Sequence, residues 1–160
     1  MHTLQVGESV RDVSVLAGCP VLHTLRLSGL RYGATDLSAL AGCATLHTLD
    51  LRLNSGMTDV SAIAGFPALR KLDLAYCPIT DVSALADCAN LHTLDLTGCR
   101  EMTSVSALAR CATLRTLVIL GCFNIKDVSA LARVKIKGPE EDLSAIGVGV
   151  AKLNRAGWKD

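Results

Sequence analysis

A segment of the form Leu-His-Thr-Leu-x-Leu recurs along the chain at a nearly fixed interval, and this constrains the fold more than any other feature. It occurs at residues 22–27, 46–51 and 91–96, with variants at 1–6, 69–74 and 114–119. The starts at 1, 22, 46, 69, 91 and 114 set repeat lengths between 21 and 24 residues. A period in this range marks an array of stacked supersecondary units rather than a conventional core. A second block close to Asp-Val-Ser-Ala-Leu-Ala follows each start at Asp12, Asp36, Asp59, Asp81 and Asp127, and Ser104 replaces the Asp in the fifth copy.

The first block has the alternation of a short strand, with Leu25 and Leu27 on one face and Thr24 and Arg26 on the other. A strand of about four residues is not stable alone. Parallel stacking pairs each strand with the next at roughly 4.8 Å and buries the Leu columns, so that six rungs form a rod or arc about 25 Å long. The second block carries the chain back across the convex side. Thr80 and Asp81, ahead of Val82 and Leu85, suit a capped turn or short helix in which Asp81 accepts backbone N–H bonds and Val82 and Leu85 close the core.

Composition fits this scheme. Leu occurs 26 times against five aromatics, as expected when one residue type fills every rung. Half of the chain is apolar, which excludes general disorder. Sixteen Lys+Arg against fifteen Asp+Glu, scattered along the chain, do not make a nucleic-acid or membrane-surface footprint. The longest stretch free of Asp, Glu, Lys and Arg, residues 37–49, is too short to cross a bilayer, and Glu8 interrupts the first residues before a secretory apolar run develops. Seven Cys, an odd number without an export signal, point to reduced thiols and a cytoplasmic setting.

The pattern Leu-x-x-Leu-x-Leu-x-x-(Cys/Asn)-x-(Ile/Met)-Thr-Asp resembles the leucine-rich repeat family over residues 1–134. Cys77, Cys99 and Cys122 after the strands look like its cysteine-containing repeats, while the Thr-Asp-Val-Ser-Ala-Leu return is similar to internalin-type repeats. The resemblance implies an α/β solenoid with parallel strands on the concave face and turns or short helices on the convex face. It implies a non-catalytic protein-interaction module.

The side chains capable of chemistry are locked to the repeat. Cys77, Cys99 and Cys122 form one column and Cys19, Cys43, Cys88 and Cys111 another. Stacked copies of one position do not converge as zinc ligands must, and the expected role is small buried hydrophobes whose thiols face loop backbone. Asn54 fills the first column in the third copy, where its amide can bond backbone. His2, His23, His47 and His92 share one flank position, with Arg70 and Arg115 there in other copies. His23 and His47 on neighbouring rungs could share a metal, but an exposed flank residue copied along the array fits the Arg replacements better. Pairing Cys99 with His92 for nucleophilic catalysis sets them at opposite ends of a strand with no third group to orient them. No catalytic residue, metal ligand or cofactor is therefore assigned.

Variation concentrates on the outward strand positions. The third position runs Thr3, Thr24, Thr48, Lys71, Thr93 and Thr116, and the fifth runs Gln5, Arg26, Asp50, Asp73, Asp95 and Val118. Three Asp on adjacent parallel strands repel one another, with Arg52 and Lys71 placed to compensate. Arg26, Asp50, Arg52, Asp73, Tyr76 and Asp95 form the candidate interface for a protein partner, one with a basic surface opposite the Asp column.

The two ends set further expectations. Repetition stops near Val134, and residues 135–160 are expected to form a helical C-terminal cap, with Leu143, Ile146, Val150 and Leu153 on one stripe. The alternatives are a partner-binding helix or a decayed seventh copy. The first repeat begins at Met1 with nothing over it, so either a longer chain or a neighbouring subunit covers that edge. A structural subunit whose N-terminal rung is completed by another chain is the second functional reading.

Overall fold

The computed structural model describes residues 2–6, 12–17, 19–30 and 36–138. Each of the six repeats supplies one three-residue strand, β1 Thr3–Gln5, β2 Thr24–Arg26, β3 Thr48–Asp50, β4 Lys71–Asp73, β5 Thr93–Asp95 and β6 Thr116–Val118, and β7 Lys135–Lys137 follows them. They form one parallel sheet in sequence order. Register follows the repeat without slippage, pairing Leu25 with Leu49, Leu49 with Leu72 and Leu72 with Leu94.

Strands this short persist because the ladder continues beyond them. At the entry, the His23 carbonyl accepts from the backbone N–H of both His47 (2.9 Å) and Thr48 (3.0 Å). At the exit, Leu51 N donates to Asp73 O at 2.8 Å and Leu74 N to Asp95 O at 2.9 Å. Leu25, Leu49, Leu72, Leu94 and Leu117 are fully buried, as are Leu27, Leu51, Leu74 and Leu96. Each such Leu contributes roughly 1.5–3 kcal/mol of burial toward the cost of ordering its rung.

The return segments are 3₁₀ helices, among them Ser38–Gly42, Ser61–Gly65, Ser83–Asp87 and Ser106–Arg110. Asp81 Oδ1 accepts the Ser83 N–H at 2.7 Å, and Asp12, Asp36, Asp59 and Asp127 do the same for their own Ser. In the fifth copy the hydroxyl of Ser104 takes this place at 3.3 Å. Val82 and Leu85 are buried and close the core from this side.

The sheet runs one strand further than the six repeats. Residues 135–137, where repetition was expected to end, pair with β6 so that Ile136 lies opposite Leu117 and is buried. The ladder needs only a backbone and one apolar residue at the inward position, and Lys-Ile-Lys supplies both. The helical cap expected over residues 135–160 is therefore corrected at its start, where 135–137 continue the sheet, and its remainder from 139 lies outside the described residues.

The loop column after the strands holds the rungs together from inside. Asn54, itself buried, donates through Nδ2 to Leu27 O (2.8 Å) and Leu51 O (2.6 Å) and accepts the Leu30 N–H through Oδ1 (2.6 Å). The thiols of Cys77, Cys99 and Cys122 donate to Leu51 O, Leu74 O and Leu96 O at 3.2, 3.2 and 2.9 Å. Each reaches back about one rung to a carbonyl that also accepts a donor from its own turn, Asn54 Nδ2 on Leu51 O and the Cys77 and Cys99 N–H groups on Leu74 O and Leu96 O. Asn54→Ala leaves the buried Leu30 N–H and two carbonyls without this partner and is expected to cost about 2–4 kcal/mol in urea unfolding. Asn54→Cys retains one donor and is expected to cost about 1 kcal/mol less than the Ala variant.

Candidate interface on the open face of the sheet

Because successive strands pair in register, residues at one repeat position stand in a row across the sheet. Asp50 lies opposite Asp73, and Asp73 opposite Asp95. Arg26 precedes this row on β2, and Val118 and Lys137 follow it on β6 and β7. The fifth-position column is thus cationic at β2 and β7 and acidic over three central rungs.

Each Asp also serves its own loop. Asp73 Oδ1 accepts the Ala75 N–H at 3.1 Å and Asp95 Oδ1 accepts the Thr97 N–H at 2.8 Å. Asp50, 6% exposed, takes the Arg52 backbone N–H at 3.3 Å and the Arg52 guanidinium at 2.9 Å. That contact holds Arg52 above its ordinary pKa. Lys71, the other expected compensating cation, is exposed and forms no ion pair with the row among the described residues, so Arg52 alone neutralises one of three carboxylates there. Asp73, half-buried between the other two, has its carboxyl pushed up by burial first, with the charges of Asp95 and Asp50 adding to it.

The sign of the pH effect follows. A carboxyl whose folded pKa is raised binds more protons folded than unfolded, so its charged form costs stability as pH rises above the ordinary carboxylate range, and the cost vanishes in acid. Asp73→Asn keeps the acceptor for Ala75 and removes the charge. It is expected to raise the melting temperature by about 1–2 °C at pH 7 and by nothing at pH 3 in paired calorimetric scans.

The turns beyond the row contain a feature that the repeat pattern did not reveal. Among the described residues the eighth-position column adopts positive φ: Gly29 (73°), Leu53 (61°), Tyr76 (60°), Gly98 (69°) and Gly121 (72°). This is glycine's region, and a bulky side chain there carries strain of roughly 1–2 kcal/mol. Leu53 and Tyr76 are nevertheless 57% and 56% exposed. The Tyr76 ring lies over Gly98, where a Cβ would stand 2.5 Å from Tyr76 Cδ1. Leu53 was absent from the candidate residues; its signal in the sequence was a large apolar residue in place of Gly at that column in two consecutive copies, Leu53 and Tyr76.

The remaining candidates behave as members of a stack. The rings of His23 and His47 lie nearly parallel, 5.4 Å apart and 12° from coplanar, and His23 Nδ1 is 2.8 Å from the Val21 carbonyl. Two rings face to face at that separation do not aim their nitrogens at one ion. Burial pushes the thiols of Cys77, Cys88 and Cys122 up to about 11 and that of Cys99 up to about 12, which opposes nucleophilic use. At pH 8 a thiol reagent is expected to modify Cys19, which is partly exposed, while the six buried thiols react only on unfolding. Several fast thiols by mass spectrometry would contradict this packing. Among the described residues no helix is long and apolar enough to cross a membrane.

Comparison with known proteins agrees with this architecture. The family described as Leucine Rich repeats (2 copies) matches residues 44–87 and 67–110. No curated protein matches the chain in sequence. Among solved structures, internalin C2 of Listeria monocytogenes is similar over 81% of this chain with 29% identity and a TM-score of 0.66. An internalin (inlF) of the same organism is similar over 88% with 22% identity and a TM-score of 0.57. The matched part spans 57% of the first of these chains and 46% of the second.

Proposed function

We propose that this chain, a leucine-rich-repeat protein, is a non-catalytic interaction module that binds a protein partner through the open, concave face of its sheet. The observation that carries this reading is the row Asp50, Asp73 and Asp95, held in register with one paired cation, beside the exposed Arg26, Arg52 and Tyr76. Charge of one sign kept on adjacent strands costs stability, and a partner with a basic surface would relieve it. The thiols favour a carbonyl-bonded structural role over a nucleophilic one, which supports the non-catalytic reading. Seven unpaired cysteines support a reducing, cytoplasmic setting. The mixed charges support neither nucleic acid nor a membrane surface as the partner.

A second reading draws on the first rung. Among the described residues β1 is an edge strand with a neighbour on one side, and Leu4, Val6 and Leu16 there are incompletely buried while Val15 is exposed. Coverage of that edge by another chain would make the protein a structural subunit of a larger assembly.

Cross-linking capture from source extract separates the two. Joint reversal of Asp50, Asp73 and Asp95 to Lys is expected to lower capture of the partner at least about tenfold, with a joint change to Asn controlling for folding. Unchanged capture by the reversed variant, with cross-links confined to β1 and its 3₁₀ turn, would replace the first reading with the second.

A further inference from the structure

We propose that Leu53 and Tyr76 anchor a docking site for an extended basic peptide segment that carries an apolar side chain between its cations. The proposal rests on the concave-face reading and adds what that reading lacks, the apolar element that selects among basic partners.

The positive-φ column runs along the turns beyond the acidic row. Its members sit on consecutive rungs of one ladder: Gly29 N donates to Arg52 O (2.9 Å), Leu53 N to Ala75 O (2.8 Å), Tyr76 N to Thr97 O (2.7 Å) and Gly98 N to Leu120 O (2.7 Å). Three of the five described positions use glycine, the residue that the conformation favours. The central two carry large apolar side chains instead, both more than half exposed. Burial does not repay Leu53 for that backbone, and Tyr76 gains only the face of Gly98, which must lack a Cβ for the ring to lie there. Strained residues that the fold does not itself need are a mark of ligand contact.

Their position identifies the ligand. Leu53 and Tyr76 each stand three residues beyond an Asp of the acidic row, Asp50 and Asp73, on the same two rungs. An apolar pair therefore flanks a stripe of three carboxylates of which one is ion-paired. The complementary chemistry is a chain with cations over the stripe and an apolar side chain over the pair. Rungs are roughly 4.8 Å apart and alternate side chains of an extended peptide roughly 7 Å apart, so Lys side chains two residues apart can reach Asp73 and Asp95, while Asp50 stays buried against Arg52.

The probe is a fluorescein-labelled peptide, Gly-Ser-Lys-Phe-Lys-Leu-Lys-Ser-Gly, titrated with the full chain by anisotropy. A second peptide replaces Phe and Leu with Ser, and a third replaces Lys with Glu. The first is expected to bind saturably, the second at least about tenfold more weakly and the third not at all. Joint Leu53→Gly and Tyr76→Gly is expected to weaken the first peptide at least about tenfold and leave the second unchanged, with a urea midpoint equal to or above that of the parent. Joint Leu53→Asn and Tyr76→Asn, which also tolerates the backbone, repeats the measurement should the glycines loosen the loops. Equal binding of the first two peptides, undiminished binding by both variants, or binding of none of the peptides overturns the anchor. If Asp50, Asp73 and Asp95 changed to Asn abolish binding while the loop variants do not, the concave-face reading stands and the anchor falls. If the loop variants abolish it and the Asn changes do not, the acidic row is no part of the site and the proposal fails as stated.

Discussion

The parallel backbone ladder is the constraint on which everything else in this protein depends. A three-residue strand has too few bonds and too little apolar surface to exist alone, so each rung is stable only through the rungs beside it. Extension of the ladder through the His or Arg carbonyls at entry and the loop amides at exit binds more residues to each neighbour than the strands themselves contain. Register then cannot slip, because a shift by one residue would turn Leu25, Leu49, Leu72 and Leu94 out of the core.

Fixed register has consequences for the side chains that do not face the core. Every repeat position becomes a column, and a column amplifies whatever chemistry occupies it. Repeated Asp on the convex side is harmless, because each carboxylate accepts its own Ser N–H in solvent and is held below its ordinary pKa in the first, second, third and sixth copies. Repeated Asp on the sheet is not harmless, because partial burial raises Asp73 and the neighbouring charges add to the effect. Repeated Cys becomes a line of donors to carbonyls one rung back, with Asn54 as its polar equivalent. The row of acids and the two strained apolar turns are the places where this array departs from what its own stability would select, and the turns lie on two of the three acidic rungs.

Much of this was legible in the sequence because periodicity reports columns directly. The Leu alternation gave the strands and their inward faces, the Asp before each Val-Ser gave the turn bond, and Asn54 among cysteines marked that column as structural. What escaped did so for physical reasons. The seventh strand carries Ile136 in place of Leu and lacks the leading Leu, but pairing is a property of backbone and one buried residue, which Lys135–Lys137 meets. The turns at Leu53 and Tyr76 escaped because their conformation is imposed by the rungs on either side and runs against the preference of the residues themselves. Lys71 sits at the predicted position, yet its long side chain extends into solvent and leaves Arg52, tethered two residues from Asp50, as the cation that pairs.

The central claim is that the ladder holds like charges together at a cost to the fold. Salt tests it most directly, through the urea midpoint of the chain and of its Asp50, Asp73 and Asp95 to Asn variant between about 0.05 and 0.5 M NaCl, where screening shortens from about 14 to 4 Å. The account predicts that the parent gains more stability with salt than the variant and that the variant starts higher at low salt. Parallel salt responses, or a variant less stable than the parent at low salt, would contradict it.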